Sequence, residues 1–69
     1  MNQFVICINN EDYEVSLERG KVYQVVDDPS ALKRDMLRLI DESGEDYLYP
    51  SSRFVAIKLP KAAQDALVA

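Results

Sequence analysis

The run MLRLIDESGEDYLYP, from Met36 to Pro50, constrains the fold more than any other part of the chain. Apolar and polar residues alternate on both sides of Ser43-Gly44, a turn dipeptide. Two such runs joined by a short turn specify an antiparallel hairpin. With Ser43-Gly44 as the central turn residues, Glu42 faces Glu45, Asp41 faces Asp46, Ile40 faces Tyr47, Leu39 faces Leu48 and Arg38 faces Tyr49. That register gathers Leu37, Leu39 and Leu48 on one face and Arg38, Ile40, Tyr47 and Tyr49 on the other. A slip by one residue would mix the two sets. The expectation is a leucine core face and a tyrosine outer face.

The flanking segments fit a small all-β domain. Gln3 to Ile8 is a β-rich apolar run and reads as a first strand, followed by a polar, acidic loop from Asn9 to Glu14. Glu14 to Leu17 alternates again, and Glu18 to Lys21 is a turn. Val22 to Val26 is the clearest strand, with Val22, Gln24 and Val26 on one side and Tyr23 and Val25 on the other. Asp28-Pro29 has the form of a helix start, so Ser30 to Arg34 reads as one or two helical turns, or else as an irregular loop. Pro50-Ser51-Ser52 forms a corner before a last strand from Phe54 to Leu59, whose Val55, Ile57 and Leu59 are expected to complete the core. Pro60 stops that strand. The alanine-rich tail, 61–69, is helix-competent but too short to hold a helix alone, so it is docked or frayed. Short strands at this spacing favour a five-stranded barrel, closed or half-closed, because closure removes edges that a small sheet cannot hide.

Composition narrows the functional classes. At 69 residues the chain is one domain, with a core over about 3–60. A domain of this size buries only ~60% of the surface its unfolded chain exposes. Cys7 is the only cysteine and there is no histidine, which suggests a reducing compartment and argues against zinc. No stretch approaches the ~20 apolar residues that span a bilayer. The segment MNQFVICINN lacks the basic region and small-residue cleavage site of a signal peptide, so a cytoplasmic protein without membrane contact is expected. The net charge of −4 repels phosphate, and the longest basic cluster is Lys33-Arg34. Nucleic-acid binding normally rests on a basic footprint and is therefore disfavoured.

Two segments carry a family resemblance. The run EVSLERGKVYQVVDD resembles the part of Src-homology-3 domains that reads roughly E-L-S-F-x-x-G-D before a valine-rich strand. The run MLRLIDESGEDYLYPSSRFVAI is similar to their strand, tight hairpin, second strand and P-S-N-Y-V sequence, in which proline and serine open a single helical turn. The chain also resembles small bacterial proteins of this barrel type, marked by L-x-x-G-K-x-Y and D-E-S-G-E-D-Y-L-Y-P, a likeness that implies a fold but no activity. The resemblance spans Phe4 to about Lys58 and implies a Src-homology-3-like barrel. The peptide-binding members of that superfamily stack proline-rich ligands on aromatic residues. Here FVICIN replaces their A-L-Y-D-Y motif, Met36 and Leu37 replace their tryptophan pair, and Arg53 intervenes before Phe54. Only Pro50 matches their ligand site cleanly. The fold resemblance does not bring the ligand with it.

The residues offer an interaction surface and little else. Tyr13, Arg38, Tyr47, Tyr49, Pro50 and Phe54 are the candidate partner-binding residues, because tyrosine and arginine join large contact area to a polar tip. Cross-strand aromatic packing, worth ~0.2–1 kcal/mol per pair, is the ordinary structural alternative. Asp41, Glu42, Glu45 and Asp46 cluster at the hairpin tip without the full spacing of a calcium loop, so a solvated tip is favoured over a metal site. Glu11 to Glu14 and Asp27-Asp28 add acidic loops that read first as a solvated acidic surface and that, if a peptide binds, would favour a basic one. Cys7, between isoleucines, reads as a buried, inert thiol. No nucleophile has an evident base, and no phosphate loop is present, so neither catalysis nor a cofactor is expected. The expected role is a protein–protein interaction module for a basic or extended peptide. A nucleic-acid-binding barrel and a self-associating accessory protein are the alternatives.

Overall fold

The computed structural model describes residues 3–68. In chain order the elements are β1 (Gln3–Cys7), β2 (Val22–Val26), α1 (Pro29–Leu32), β3 (Met36–Ile40), β4 (Asp46–Pro50), a 3-10 turn (Ser51–Arg53), β5 (Phe54–Ile57) and α2 (Lys61–Val68). The strands form one antiparallel sheet in the order β4-β3-β2-β1-β5. The small five-stranded all-β fold expected from the sequence is therefore present. The sheet is open: β4 and β5 are its edges and do not pair with each other. Even so, the rings of Tyr49 on β4 and Phe54 on β5 lie 6.3 Å apart. Edge strands of a flat five-stranded sheet would be ~19 Å apart, so this sheet curls strongly without closing.

The concave face holds the core. Val5 and Cys7 of β1, Tyr23 of β2, Leu39 of β3, Tyr49 of β4 and Phe54 of β5 pack together with Leu17. Leu17 reaches this core from a helical turn rather than a strand, because the Ser16 and Leu17 amides both donate to the Tyr13 carbonyl at 3.0 and 2.8 Å. The alternation over Glu14–Leu17 thus forms a turn. The convex face carries Phe4, which is buried, while Ile6 beside it is half-buried. Leu67 of α2 lines one cleft with Phe4, Val22 and Ile40. The Gln64 side-chain amide donates to the Leu59 carbonyl at 2.8 Å. The tail is docked.

Two register expectations are corrected. In the hairpin, Leu37 pairs with Tyr49, Arg38 with Leu48, Leu39 with Tyr47 and Ile40 with Asp46, one residue away from the expected pairing. The cause is the turn. A two-residue turn needs positive φ at its first central residue, usually Asn, Asp or Gly. Ser43 avoids positive φ, and Gly44 alone takes it, at +83°. The loop is therefore three residues, closed by Asp41 N–H to Glu45 O at 3.1 Å and Gly44 N–H to Asp41 O at 3.0 Å. The Asp41 carboxylate also accepts from the Ser43 amide at 2.9 Å. Tyr49 consequently enters the core with Leu39, and Leu48, expected there, is half-buried on the convex side. In the last strand, Phe54 pairs with Cys7 and takes the core position, whereas Val55, expected inside, is 48% exposed.

Gly44 has no neighbour that an added Cβ would meet, so its substitution reports backbone conformation alone. Gly44→Ala is expected to lower stability by about 1–2 kcal/mol, with Gly44→Asn losing less, as read by urea denaturation. Equal stability of the alanine variant would mean that the turn does not depend on positive φ at this position.

The helix start is as expected. Asp28 caps α1, accepting from the Ala31 amide at 3.1 Å, and Pro29 occupies the first helical position. Proline and serine open the single 3-10 turn that leads into β5.

Candidate functional site

Four aromatic residues meet at the rim of the concave face. Tyr49 is central. Tyr13 meets it edge-on at 5.1 Å, Tyr47 lies tilted at 5.6 Å, and Phe54 is on the far side at 6.3 Å. The one-residue shift of the hairpin produces this cluster, since it turns Tyr47 and Tyr49 toward the concave side. Burial then divides the four. Tyr49 is 1% exposed and Phe54 is also buried, whereas Tyr47 is 63% exposed and Tyr13 is half-buried. Tyr47 and Tyr13 are therefore the members a partner can touch.

The acidic loops frame this rim. The Glu42 amide donates to the Ser16 carbonyl at 3.0 Å and joins the hairpin tip to the loop that carries Tyr13. The Tyr49 hydroxyl donates to Asp41 Oδ2 at 2.6 Å. The Tyr23 hydroxyl donates to Glu42 Oε2 at 2.6 Å and accepts from the Glu18 amide at 2.7 Å. Lys21 Nζ completes that set, 2.7 Å from Glu42 Oε2. The Arg53 guanidinium lies 5.3 Å from the Tyr13 ring centre and donates to Asn9 Oδ1 and the Glu11 carbonyl at 3.0 and 2.9 Å. It ties the start of the acidic loop to the 3-10 turn and fixes Tyr13 between Tyr49 and a cation.

These contacts set the protonation states. Burial, and then the hydrogen bond to Asp41, push the Tyr49 hydroxyl up to about 12. Burial, and then Glu42, raise Tyr23 as well. The Lys21 ammonium and then the Tyr23 hydroxyl hold Glu42 below its ordinary value. Burial alone would raise Asp41, but the bonds from Ser43 and Tyr49 outweigh it and leave its carboxyl lowered. Both carboxylates are therefore ionised acceptors at neutral pH, and both hydroxyls are donors.

Of the residues singled out from the sequence, Tyr13, Tyr47, Tyr49 and Phe54 come together. Pro50 follows directly on the β4 edge, half-buried. Arg38 does not join them. It shares the convex parity of Leu48 and bridges Asp28 at 2.8 Å and Asp46 at 3.2 Å. Arg53, Asp41, Glu42 and Tyr23 are the additions. Arg53 stood out in the sequence as an inserted residue, while the carboxylate–tyrosine pairs had no sequence signal because their partners lie 8 and 19 residues apart. Three of the hairpin-tip carboxylates, Asp41, Glu42 and Asp46, are engaged by side chains of this chain. Among the described residues, no three histidine, cysteine, aspartate or glutamate side chains are grouped as a metal ion would need. Cys7 is fully buried. No described helix is long and apolar enough to cross a membrane. Comparison of the chain with protein-family models, with curated proteins and with solved structures returns no match.

Proposed function

We propose that this protein is a non-enzymatic interaction module that holds an extended, basic peptide across the Tyr13–Tyr47 rim. One observation carries the reading: Tyr47, 63% exposed, leans at 59° against the buried Tyr49 beside two acidic loops that a backbone hydrogen bond fastens together. A rigid aromatic platform loses little conformational entropy on binding. The acidic loops supply Glu11, Asp12 and Glu14 on one side and Glu45 on the other, Glu42 being neutralised by Lys21, and this favours a cationic partner and speeds its encounter. The resemblance to Src-homology-3 domains supports the same arrangement, a peptide lying on aromatics between acidic loops. The lone, buried Cys7 fits work in a reducing cytoplasm.

The test is an NMR titration of the full chain with three extended peptides of equal length, one lysine- and arginine-rich, one neutral and one acidic. The basic peptide is expected to bind, to shift the amides of Tyr13, Tyr47 and the hairpin tip, and to weaken as salt is raised. Tyr47→Ala should reduce its affinity by about tenfold or more while leaving stability unchanged. Shifts confined to the convex face, or equal binding of all three peptides, would overturn the reading.

A further inference from the structure

We propose that Arg53 is an internal ligand of the tyrosine rim: its guanidinium fills the cradle in which an arginine of the partner peptide lies, and the peptide binds by displacing it. The inference deepens the reading of the rim as a peptide site and rests on it. The cradle has three walls. One is the Tyr13 ring, whose centre lies 5.3 Å from the guanidinium carbon. The others are Asn9 Oδ1 and the Glu11 carbonyl, which accept from the same guanidinium nitrogen at 3.0 and 2.9 Å. A second cation of this shape would meet the same three groups.

The cradle keeps its shape without its occupant. The Glu11 amide donates to Asn9 Oδ1 at 2.9 Å and holds that acceptor in place. The Tyr13 amide donates to the Asn10 carbonyl at 2.8 Å, and the Asn10 side-chain amide donates to the Leu17 carbonyl at 3.0 Å. The Tyr13 ring stands edge-on to the buried Tyr49. On the opposite side, the Ile8 amide fixes the Arg53 backbone by donating to its carbonyl at 2.9 Å. None of these contacts uses the guanidinium. A strut holds what nothing else holds, whereas this side chain sits in a site that is already built.

The surrounding charges also mark it as an occupant. Lys21, Arg38 and Lys61 are each paired with a carboxylate. Arg53 touches the acidic loop through two neutral oxygens instead. Among the described residues, Glu11, Asp12 and Glu14 form no ion pair. The loop thus keeps its attraction for a cation from outside while a cation from within holds the seat. The walls select arginine over lysine. A planar guanidinium lies on a ring while its N–H groups reach oxygens at the edge, whereas an ammonium is a compact, strongly hydrated point charge.

The test is an NMR titration of the full chain with two lysine-containing extended peptides that differ only in one central residue, arginine or lysine. An occupant in place about 90% of the time lowers apparent affinity about tenfold. Arg53→Ala should therefore bind the arginine peptide about tenfold more tightly than wild type does, and the lysine peptide less than about threefold more tightly. Arg53→Lys keeps the net charge and should gain affinity for the arginine peptide in the same direction. In the wild type, the arginine peptide should move the Arg53 side-chain Nε–H resonance toward that of a free arginine. Binding at the rim that both variants leave unchanged or weaken would overturn this inference alone and leave the module reading standing. So would an equal gain for both peptides, which net charge explains, or an Arg53→Ala chain that no longer folds, which would make Arg53 a strut. Failure of both peptides to bind wild type and variants would overturn the module reading and this inference with it.

Discussion

Tyr49→Ala is expected to unfold the domain. The side chain is 1% exposed and touches three other rings. Truncating a buried aromatic of this size costs about 3–5 kcal/mol, combining lost transfer energy with the cavity left behind. The total stability of a domain this short is about 3–10 kcal/mol, so the loss is of the same order as the whole. The cavity would open beneath Tyr13 and Tyr47 together and remove the support of both. Tyr49→Phe keeps the ring and gives up the hydrogen bond to the ionised Asp41, a cost of about 1.5–3 kcal/mol, and this variant should stay folded. Far-ultraviolet circular dichroism with urea titration separates the cases. A Tyr49→Ala protein with a wild-type midpoint would show that the aromatic cluster does not hold the two edge strands together. The contrast with Tyr47→Ala also matters for binding experiments: the exposed tyrosine probes a partner, whereas alanine at the buried one removes the fold.

The misassignment of Tyr49 in the sequence shows where the fold was legible and where it was not. Five strands, the capped turn at Asp28-Pro29 and the corner at Pro50 all follow from local signals: alternation, capping and proline. The faces did not follow, because one residue of register decides them and the turn decides the register. Ser43-Gly44 reads as a two-residue turn only until the φ requirement at its first position is weighed against the Asp41 carboxylate, which bonds the Ser43 amide and favours the three-residue form. The alternation of MLRLI and DYLYP is symmetric enough to accept either register, since leucines and tyrosines are both apolar enough for a core. The same ambiguity hid Phe54, whose claim to the interior comes from pairing with Cys7 in a strand 47 residues earlier. For the candidate site, the sequence singled out the right aromatic residues and the wrong cation. Arg38 shares a strand with core residues but not a face, and its carboxylate partners hold it on the convex side. Arg53, beyond the corner, is the cation that meets Tyr13.

Raising the pH above 10 is expected to unfold the domain over a narrow interval, and the two buried tyrosines are the reason. The Tyr49 hydroxyl titrates near 12 in the folded chain, against ~10 in an unfolded one. Tyr23 is displaced in the same direction. A raised folded value means that the fold favours the protonated, neutral phenol. Its contribution is fully present below pH ~10 and is lost as pH rises toward the folded value. Each such group removes up to ~1.4 kcal/mol of stability per pH unit across that window. By pH ~12 the loss from Tyr49 alone is about 2–3 kcal/mol, and Tyr23 adds to it in the same direction, a large share of the stability of a domain this size. The carboxylates act at the other end. Asp41 and Glu42 are both lowered, so their contribution is present above the ordinary carboxyl range and is lost as pH falls through their folded values. Circular dichroism recorded together with phenolate absorbance tests the alkaline limb. Ionisation of the last tyrosines should coincide with loss of the fold, and Tyr23→Phe combined with Tyr49→Phe should flatten the dependence above pH ~10. Ionisation of Tyr23 and Tyr49 near pH ~10 with the fold intact would contradict the pairing of each buried hydroxyl with a hairpin-tip carboxylate. Those two pairs tie the hydrophobic core to the hairpin tip, so core and acidic rim should come apart in a single transition.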